Sequence, residues 1–189
     1  MTTAAVVLAA GPGSRFTGPM AKLLAPFRGR PLVAWAVGAA AAALLDETVV
    51  VWGAVDLAAA GLPPGITLVS NPGWSGGLAT SLQVAVAHAG ARGHDAVVVG
   101  LGDQPLVTAS AWRSVAVAAG PVAVATYGGR RSHPVRLARE VWPSLPTVGD
   151  AGARRLVAGN AGVVEVACAG GGPGPPADID TAEDLARWT

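Results

Sequence analysis

Apolar residues in this chain come in short blocks separated by loops of glycine, proline and small polar residues. The first block, Val6-Val7-Leu8, is continuous rather than alternating, the pattern of a strand buried on both faces. After a Gly/Ala/Pro/Ser loop, Pro31 stands where a helix can begin, and an Ala-rich run predicts that helix to Leu45. Glu47 to Trp52 and Ile66 to Val69 read as strands, with a brief helix near Val55 to Ala60 and a turn at Leu62-Pro63-Pro64-Gly65 between them. The loop Ser70 to Gly77 opens a helix carrying Leu78, Leu82, Ala85 and Ala89 at core spacing. Asp95 to Leu101 is the most hydrophobic strand and is expected at the centre of the sheet.

The second half continues in the same manner. A helix is expected over Thr108 to Ala119 and a strand over Val122 to Tyr127. Arg130 to Pro134 interrupts the pattern, and Val135 to Leu137 reads as a short strand. Asp150 stands in a capping position for a helix that follows it, and Val163 to Cys168 is the last strand. Ala169 to Ala177, with its Gly/Pro run, has no packing material and is expected to be exposed and mobile. Thr181 caps a final helix, with Asp184 completing a capping box. Strands alternating with helices imply an α/β protein with a mostly parallel sheet, here one domain over residues 1–189. In such sheets ligands bind at the carboxyl ends of the strands. Two loops at such ends, after Leu8 and after Leu101, can face each other if their strands are neighbours.

Composition narrows the class. The chain is 51% hydrophobic and 13% charged with a net charge of +1, and it has no basic run of the kind that marks a nucleic-acid surface. The Ala-rich segment from Pro31 to Leu45, about 15 residues, is too short to span a bilayer, and no basic leader precedes the first strand. A cytoplasmic protein is expected. The lone cysteine, Cys168, excludes an intrachain disulfide and reads as a small buried hydrophobe.

The candidate chemistry begins in the first loop. Ala9, Ala10, Gly11 and Gly13 leave the main-chain N–H groups open to a phosphate, and Arg15 and Lys22 bring positive charge. A dinucleotide fingerprint is a poor match, since Phe16 stands where a third small residue belongs and Asp46 is too distant an acid. A phosphate-binding loop of the GK[ST] type fails, because Ala21 and Leu23 flank the lysine. Lys22 is the one lysine among 13 lysines and arginines, a compact point charge in the loop where a polyphosphate would use it. Asp103 at a strand end and Asp178 and Asp180 before the last helix are candidate carboxylates for a divalent cation such as Mg²⁺.

Taken together, LAAGPGSRF with Lys22, NPGWSGGLATSL, GDQP, SHPV, GDAGARRL and DIDTAEDL, in this order and spacing, resemble the MobA/MocA group of nucleotidyltransferases, the molybdenum cofactor cytidylyltransferases above all. The resemblance covers nearly the whole chain. It implies a Rossmann-like three-layer α/β/α nucleotidyltransferase fold with a mostly parallel twisted sheet, and transfer of a nucleoside monophosphate from an NTP onto a phosphate, with Mg²⁺. Residues Leu8 to Arg15, including Ala9, Ala10, Gly11 and Gly13, would then hold the nucleotide, and Lys22 its phosphates. Asn71 to Ser81, with Gly76, would line base and ribose. Gly102 would also meet the nucleotide, Asp103 would ligate the metal with Asp180 or Asp178, and Arg15, Lys22 and Asp103 would carry catalysis. His133-Pro134 would touch the acceptor, a molybdopterin-type phosphate, with a molybdenum hydroxylase apoenzyme as recipient of the product. In that group AAG after the first strand goes with cytidylyl enzymes and AGG with guanylyl ones, so Ala10 favours CTP over GTP. Two alternatives stay open: transfer to a sugar or alditol phosphate, and a non-catalytic carrier of the cofactor.

Overall fold

The computed structural model describes residues 1–159, 162–170 and 176–188. Residues 171–175 of the Gly/Pro tract lie outside the described residues. The strands are β1 (Thr3–Ala9), β2 (Pro26–Phe27), β3 (Arg30–Pro31), β4 (Glu47–Trp52), β5 (Thr67–Ser70), β6 (Ala96–Leu101), β7 (Val122–Tyr127), β8 (Arg130–Ala138) and β9 (Val163–Ala167). Seven of them form one sheet in the order β5-β4-β1-β6-β8-β7-β9, while β2 and β3 make a separate small hairpin. Within that sheet, among the described residues, only β8 runs antiparallel to its neighbours, and β6 is the middle strand. The helices are α1 (Leu32–Ala41), α2 (Leu78–Ala91), α3 (Ala109–Ala116), α4 (Arg154–Gly159) and α5 (Ala182–Trp188).

Alternation along the buried strands builds three layers. Ala5, Val7 and Ala9 of β1 pack with Val33 and Val37 of α1 and Trp112 of α3, whereas Ala4, Val6 and Leu8 pack with Leu82, Ala85 and Ala89 of α2. A strand covered on both faces has no polar position to spare, which is why its sequence is an unbroken apolar run. A third, smaller cluster of Phe27, Leu32, Leu106 and Ile179 fixes the segment leading to α5 against the ends of the central strands. Among the described residues no helix is long and apolar enough to cross a membrane.

Several expectations are corrected. No helix forms near Val55 to Ala60; the Ala58 amide donates to Asp56 Oδ1 at 2.9 Å, and that local turn replaces it. Helix α1 stops at Ala41, and Leu44 takes a left-handed conformation at φ 56°. Arg130 to Pro134 does not break the sheet: β8 is continuous from Arg130 to Ala138, joined to β7 by Gly128-Gly129, both at positive φ. The irregularity within it is a bulge, since Val124 pairs with Val135 but Ala125 pairs with Ser132. His133 and Pro134 drop out of the pairing there, and such bulges re-aim side chains.

Candidate active site

Pairing of Leu8 with Leu101 brings the ends of β1 and β6 side by side, so the two loops face each other as their order in the sheet requires. The Gly102 amide donates to the Leu8 carbonyl at 2.9 Å, extending the ladder under the site. Leu8, Ala9, Ala10, Gly11 and Gly13 line a cavity of about 360 Å³ that Lys22 and Asp103 also border. Gly13 sits at φ +66° with Lys22 packed on it, where an added Cβ would come within 2.8 Å of the Lys22 Cβ. Only glycine lets the loop turn and lie on the lysine stem at once.

Lys22 is 8% exposed, and its Nζ donates to Asp103 Oδ2 at 2.7 Å and Asp180 Oδ1 at 3.1 Å. Arg15 Nη1 lies 2.9 Å from the other oxygen of Asp180. Burial opposes the Lys22 charge, but Asp103 first and Asp180 next outweigh it and hold the ammonium above its ordinary range. Lys22 and Asp180, bonded here, lie 158 residues apart in sequence, and Arg15 lies farther still from Asp180. The anchor is Ile179, fully buried, whose amide donates to the Asp103 carbonyl at 3.0 Å. It pins the DID segment beside the GDQP loop, and the flanking acids serve different partners. Asp180 meets Lys22, whereas Asp178 accepts from Gln104 Nε2 at 2.6 Å. Packing against the protein, joined by the nearby Asp103 and Asp180 charges, raises the Asp178 pKa.

The donor set suits a hard divalent cation. Asp103 Oδ1 is buried without a hydrogen-bond partner, and its carboxylate and that of Asp180 converge on one ammonium. Among the described residues there is no cluster of three or more ligating side chains, so a metal here would rest on two carboxylates and complete its shell with water and substrate phosphates.

The Asn71 to Ser81 stretch divides. Trp74, Ser75, Gly77, Leu78 and Ser81 line the cavity. Asn71 does not: it is 2% exposed, and its amide donates to the hydroxyls of Thr80 and Ser81 at 3.0 Å each while accepting from the Gly73 amide. It holds the loop shape. The Gly76 carbonyl accepts from the Gly149 amide at 2.8 Å, docking the GDAG segment. Asp150 also departs from expectation. Rather than capping α4, its Oδ1 accepts from the Leu78 amide at 3.3 Å, at the start of α2 and at the edge of the cavity. Gly77, at φ +95°, permits this close approach, since a Cβ there would sit 2.6 Å from the Gly149 carbonyl carbon.

A second cavity of about 320 Å³ adjoins the first through Leu8, Leu78 and Leu101. His133, turned out of the ladder by the bulge, lines it together with Gln104, Arg131, Arg154 and Asp178. Burial pushes the His133 pKa down to about 4, with Arg154 adding to the effect, so the imidazole is neutral at pH 7. Pro134 is buried in the strand and does not line the cavity. Trp74 falls in the Asn71 to Ser81 stretch expected to line the nucleotide, and Asp150 and Arg154 in the Gly149 to Arg155 segment expected near the acceptor; Gln104 alone had no expected role, its signal being the GDQP motif.

Residues 5–165 match the family described as the MobA-like NTP transferase domain. Nicotine blue oxidoreductase of Paenarthrobacter nicotinovorans is 33% identical over 198 residues, spanning 96% of this chain and 94% of that protein. The bifunctional protein GlmU of Sinorhizobium fredii is 36% identical over 111 residues, 58% of this chain, and the match takes in about a quarter, 24%, of that relative's length. Among solved structures, Rv0371c of Mycobacterium tuberculosis superposes with a TM-score of 0.82 at 30% identity, covering 98% of this chain and 96% of that one. Its complex with manganese gives 0.79 at 28% identity, covering 100% and 98%. A nucleotidyl transferase from Methanothermobacter thermautotroptrophicus gives 0.78 at 26% identity, covering 98% and 95%.

Proposed function

The chain belongs to the MobA-like NTP transferase family and is a nucleotidyltransferase, and from that premise we propose that it moves CMP from CTP onto the terminal phosphate of a molybdopterin-type acceptor, with Mg²⁺. The observation that carries this reading is the convergence of Lys22, Arg15, Asp103 and Asp180 at the mouth of a cavity floored by backbone and small side chains.

The chemistry follows from charge. An oxygen of the acceptor phosphate bonds to the α-phosphorus of CTP, the bond from that phosphorus to the bridging oxygen breaks, and pyrophosphate leaves with the electron pair. The nucleophile is already anionic at pH 7, so no side chain must remove a proton, and the barrier is dominated by repulsion between two polyanions. Lys22 and Arg15 lower it by facing the triphosphate, and the loop amides after β1 orient it. A divalent ion bound to Asp103 and Asp180 would neutralise phosphate charge further. His133, neutral at pH 7, serves acceptor binding through hydrogen bonding rather than proton transfer. Ala10 favours CTP, by the resemblance of the AAG segment to the cytidylyl branch.

The test is direct. Purified protein with radiolabelled CTP or GTP, Mg²⁺ and molybdopterin is expected to label the pterin from CTP in preference to GTP. Label reaching only a sugar or alditol phosphate overturns the acceptor, and failure to bind CTP with Mg²⁺ favours a carrier. A second reading has one observation behind it, the nearly full-length relative named an oxidoreductase. It predicts that reduced nicotinamide dinucleotide, rather than CTP, quenches Trp74 fluorescence in the first cavity.

A further inference from the structure

Lys22 does more at the site than present a charge. Its ammonium, buried and 2.7 Å from Asp103 Oδ2 and 3.1 Å from Asp180 Oδ1, stands between the two carboxylates that a divalent ion would need. Arg15 Nη1 takes the remaining oxygen of Asp180 at 2.9 Å. These two acids and two cations, in direct contact, sum to zero, and Asp103 Oδ1 is the one oxygen of the two carboxylates without a hydrogen-bond partner. Asp178, the next acid, is turned to Gln104. The stem of Lys22 is seated as firmly as its head: its Cβ and Cε lie so close to Gly13 that a Cβ added there would come within 2.8 and 3.3 Å of them. The residue that holds the carboxylates therefore also lies under the phosphate loop.

We propose that Lys22 is an exchangeable counter-cation for the metal site: it competes with a free divalent ion for Asp103 and Asp180 and gives them up when a polyphosphate takes its ammonium, so that metal and triphosphate bind as a pair. The reason is charge balance. A free divalent ion entering here adds two charges to a neutral set and meets two positive groups at close range, in a site where burial weakens screening. A triphosphate reverses the balance, since it offers the ammonium another anion beside the loop on which its stem already lies. Arg15 is a weaker competitor, because its side chain is 75% exposed and its charge is shared with water. The inference rests on the transfer reading for the triphosphate, whereas the competition between Lys22 and a metal ion belongs to the protein alone.

The probe is Mn²⁺, its binding to the full chain followed by electron paramagnetic resonance without nucleotide. Lys22→Met keeps an unbranched stem against Gly13 and removes the charge, and it is expected to bind Mn²⁺ about tenfold or more tightly than wild type. Arg15→Gln should change that affinity by no more than about threefold. A lysine that merely supports the site gives another sign: equal or weaker Mn²⁺ binding by Lys22→Met overturns the proposal. Because Lys22 is the one lysine of the chain, trace acetylation read by mass spectrometry reports its amine in the wild-type protein, whether or not the variant folds. Saturating Mn²⁺ alone should speed its labelling about tenfold, as the displaced amine loses its acids and becomes accessible; an unchanged or slower rate also overturns the proposal. Both effects in a protein that transfers no CMP from CTP would uphold the exchange and sink the transfer reading, and CMP transfer with neither effect would do the reverse.

Discussion

Two carboxylate clusters stand at opposite ends of one sheet, and they are built to different ends. At the amino ends of the strands, Glu47 faces His88 Nε2 at 3.1 Å and His94 Nε2 at 2.8 Å and accepts from the Thr67 hydroxyl at 2.8 Å. Both of its oxygens are engaged. Burial opposes its charge, yet the hydrogen bonds from His94, His88 and Thr67 prevail and bring its pKa down to about 2. At the carboxyl ends, Asp103 and Asp180 share one buried ammonium, and Asp103 keeps an oxygen with no partner. The saturated cluster ties α2 to β4 and β5. The other leaves binding capacity over, and that difference, not the number of charges, marks a site meant for a ligand.

The sharpest way to break the contrast is Asp103→Asn. It preserves shape and leaves Lys22 with Asp180, so the melting temperature should change little. Turnover in the labelled transfer assay should fall about 10²–10³-fold, the usual cost of one lost electrostatic contact to the reacting group. If activity survives while stability drops, the two clusters are alike and the carboxyl-end one is structural.

Acid titration separates the ends next. His133, whose folded pKa of about 4 lies below its ordinary 6.5, binds its proton more readily when unfolded. Stability should therefore be whole above pH 6.5 and fall as pH drops toward 4, by about 3 kcal/mol at most, since each unit is worth 1.36 kcal/mol. Glu47 acts in a lower window: its contribution is present above pH 4.5 and is lost as pH falls through about 2. Urea unfolding as a function of pH should show both windows, and His133→Gln should flatten only the upper one. Smaller again, Glu47→Gln at pH 7 should cost about 2 kcal/mol in unfolding free energy by weakening buried charged hydrogen bonds. Its kcat should stay within about twofold of wild type; a fall like that of Asp103→Asn would mean the amino end of the sheet takes part in the reaction.

How far this was legible in the sequence depends on the range of the interaction. Strands covered on both faces announce themselves as apolar runs, so β1, β4 and β6 and the central place of β6 could be read directly. The Thr181–Asp184 capping box is local and was equally plain; its two reciprocal backbone bonds measure 3.1 and 3.0 Å. The β8 strand was cut short because Arg130, Arg131 and Pro134 look like loop residues, and the Gly128-Gly129 hairpin signal was passed over. The resemblance implied Asp103 and Asp180 as partners at a metal, but the direct bond from Lys22 to Asp180 was not expected, since no local pattern reports a contact across 158 residues. The Gln104–Asp178 pair, the commitment of Asn71 and the reach of Asp150 to α2 depend on side-chain geometry after folding, which residue order does not encode in any short window.

The smallest effect tests whether the GDAG segment belongs to the ligand end of the sheet at all. Asp150 is exposed, accepts from the Leu78 amide at 3.3 Å, and so caps α2 from 72 residues away. A lost cap usually costs about 1 kcal/mol, and a long, solvent-facing bond belongs at the low end of that range. Asp150→Ala should therefore lower unfolding free energy by about 0.5 kcal/mol. The same carboxylate borders the first cavity, where its charge opposes that of a triphosphate. Removing it should leave the KM for the nucleoside triphosphate unchanged or slightly lower, as an exposed charge screened by salt has little reach. A severalfold rise in that KM, measured at fixed acceptor concentration, would mean that Asp150 grips the nucleotide itself, and the boundary between the two cavities would then have to be redrawn around it.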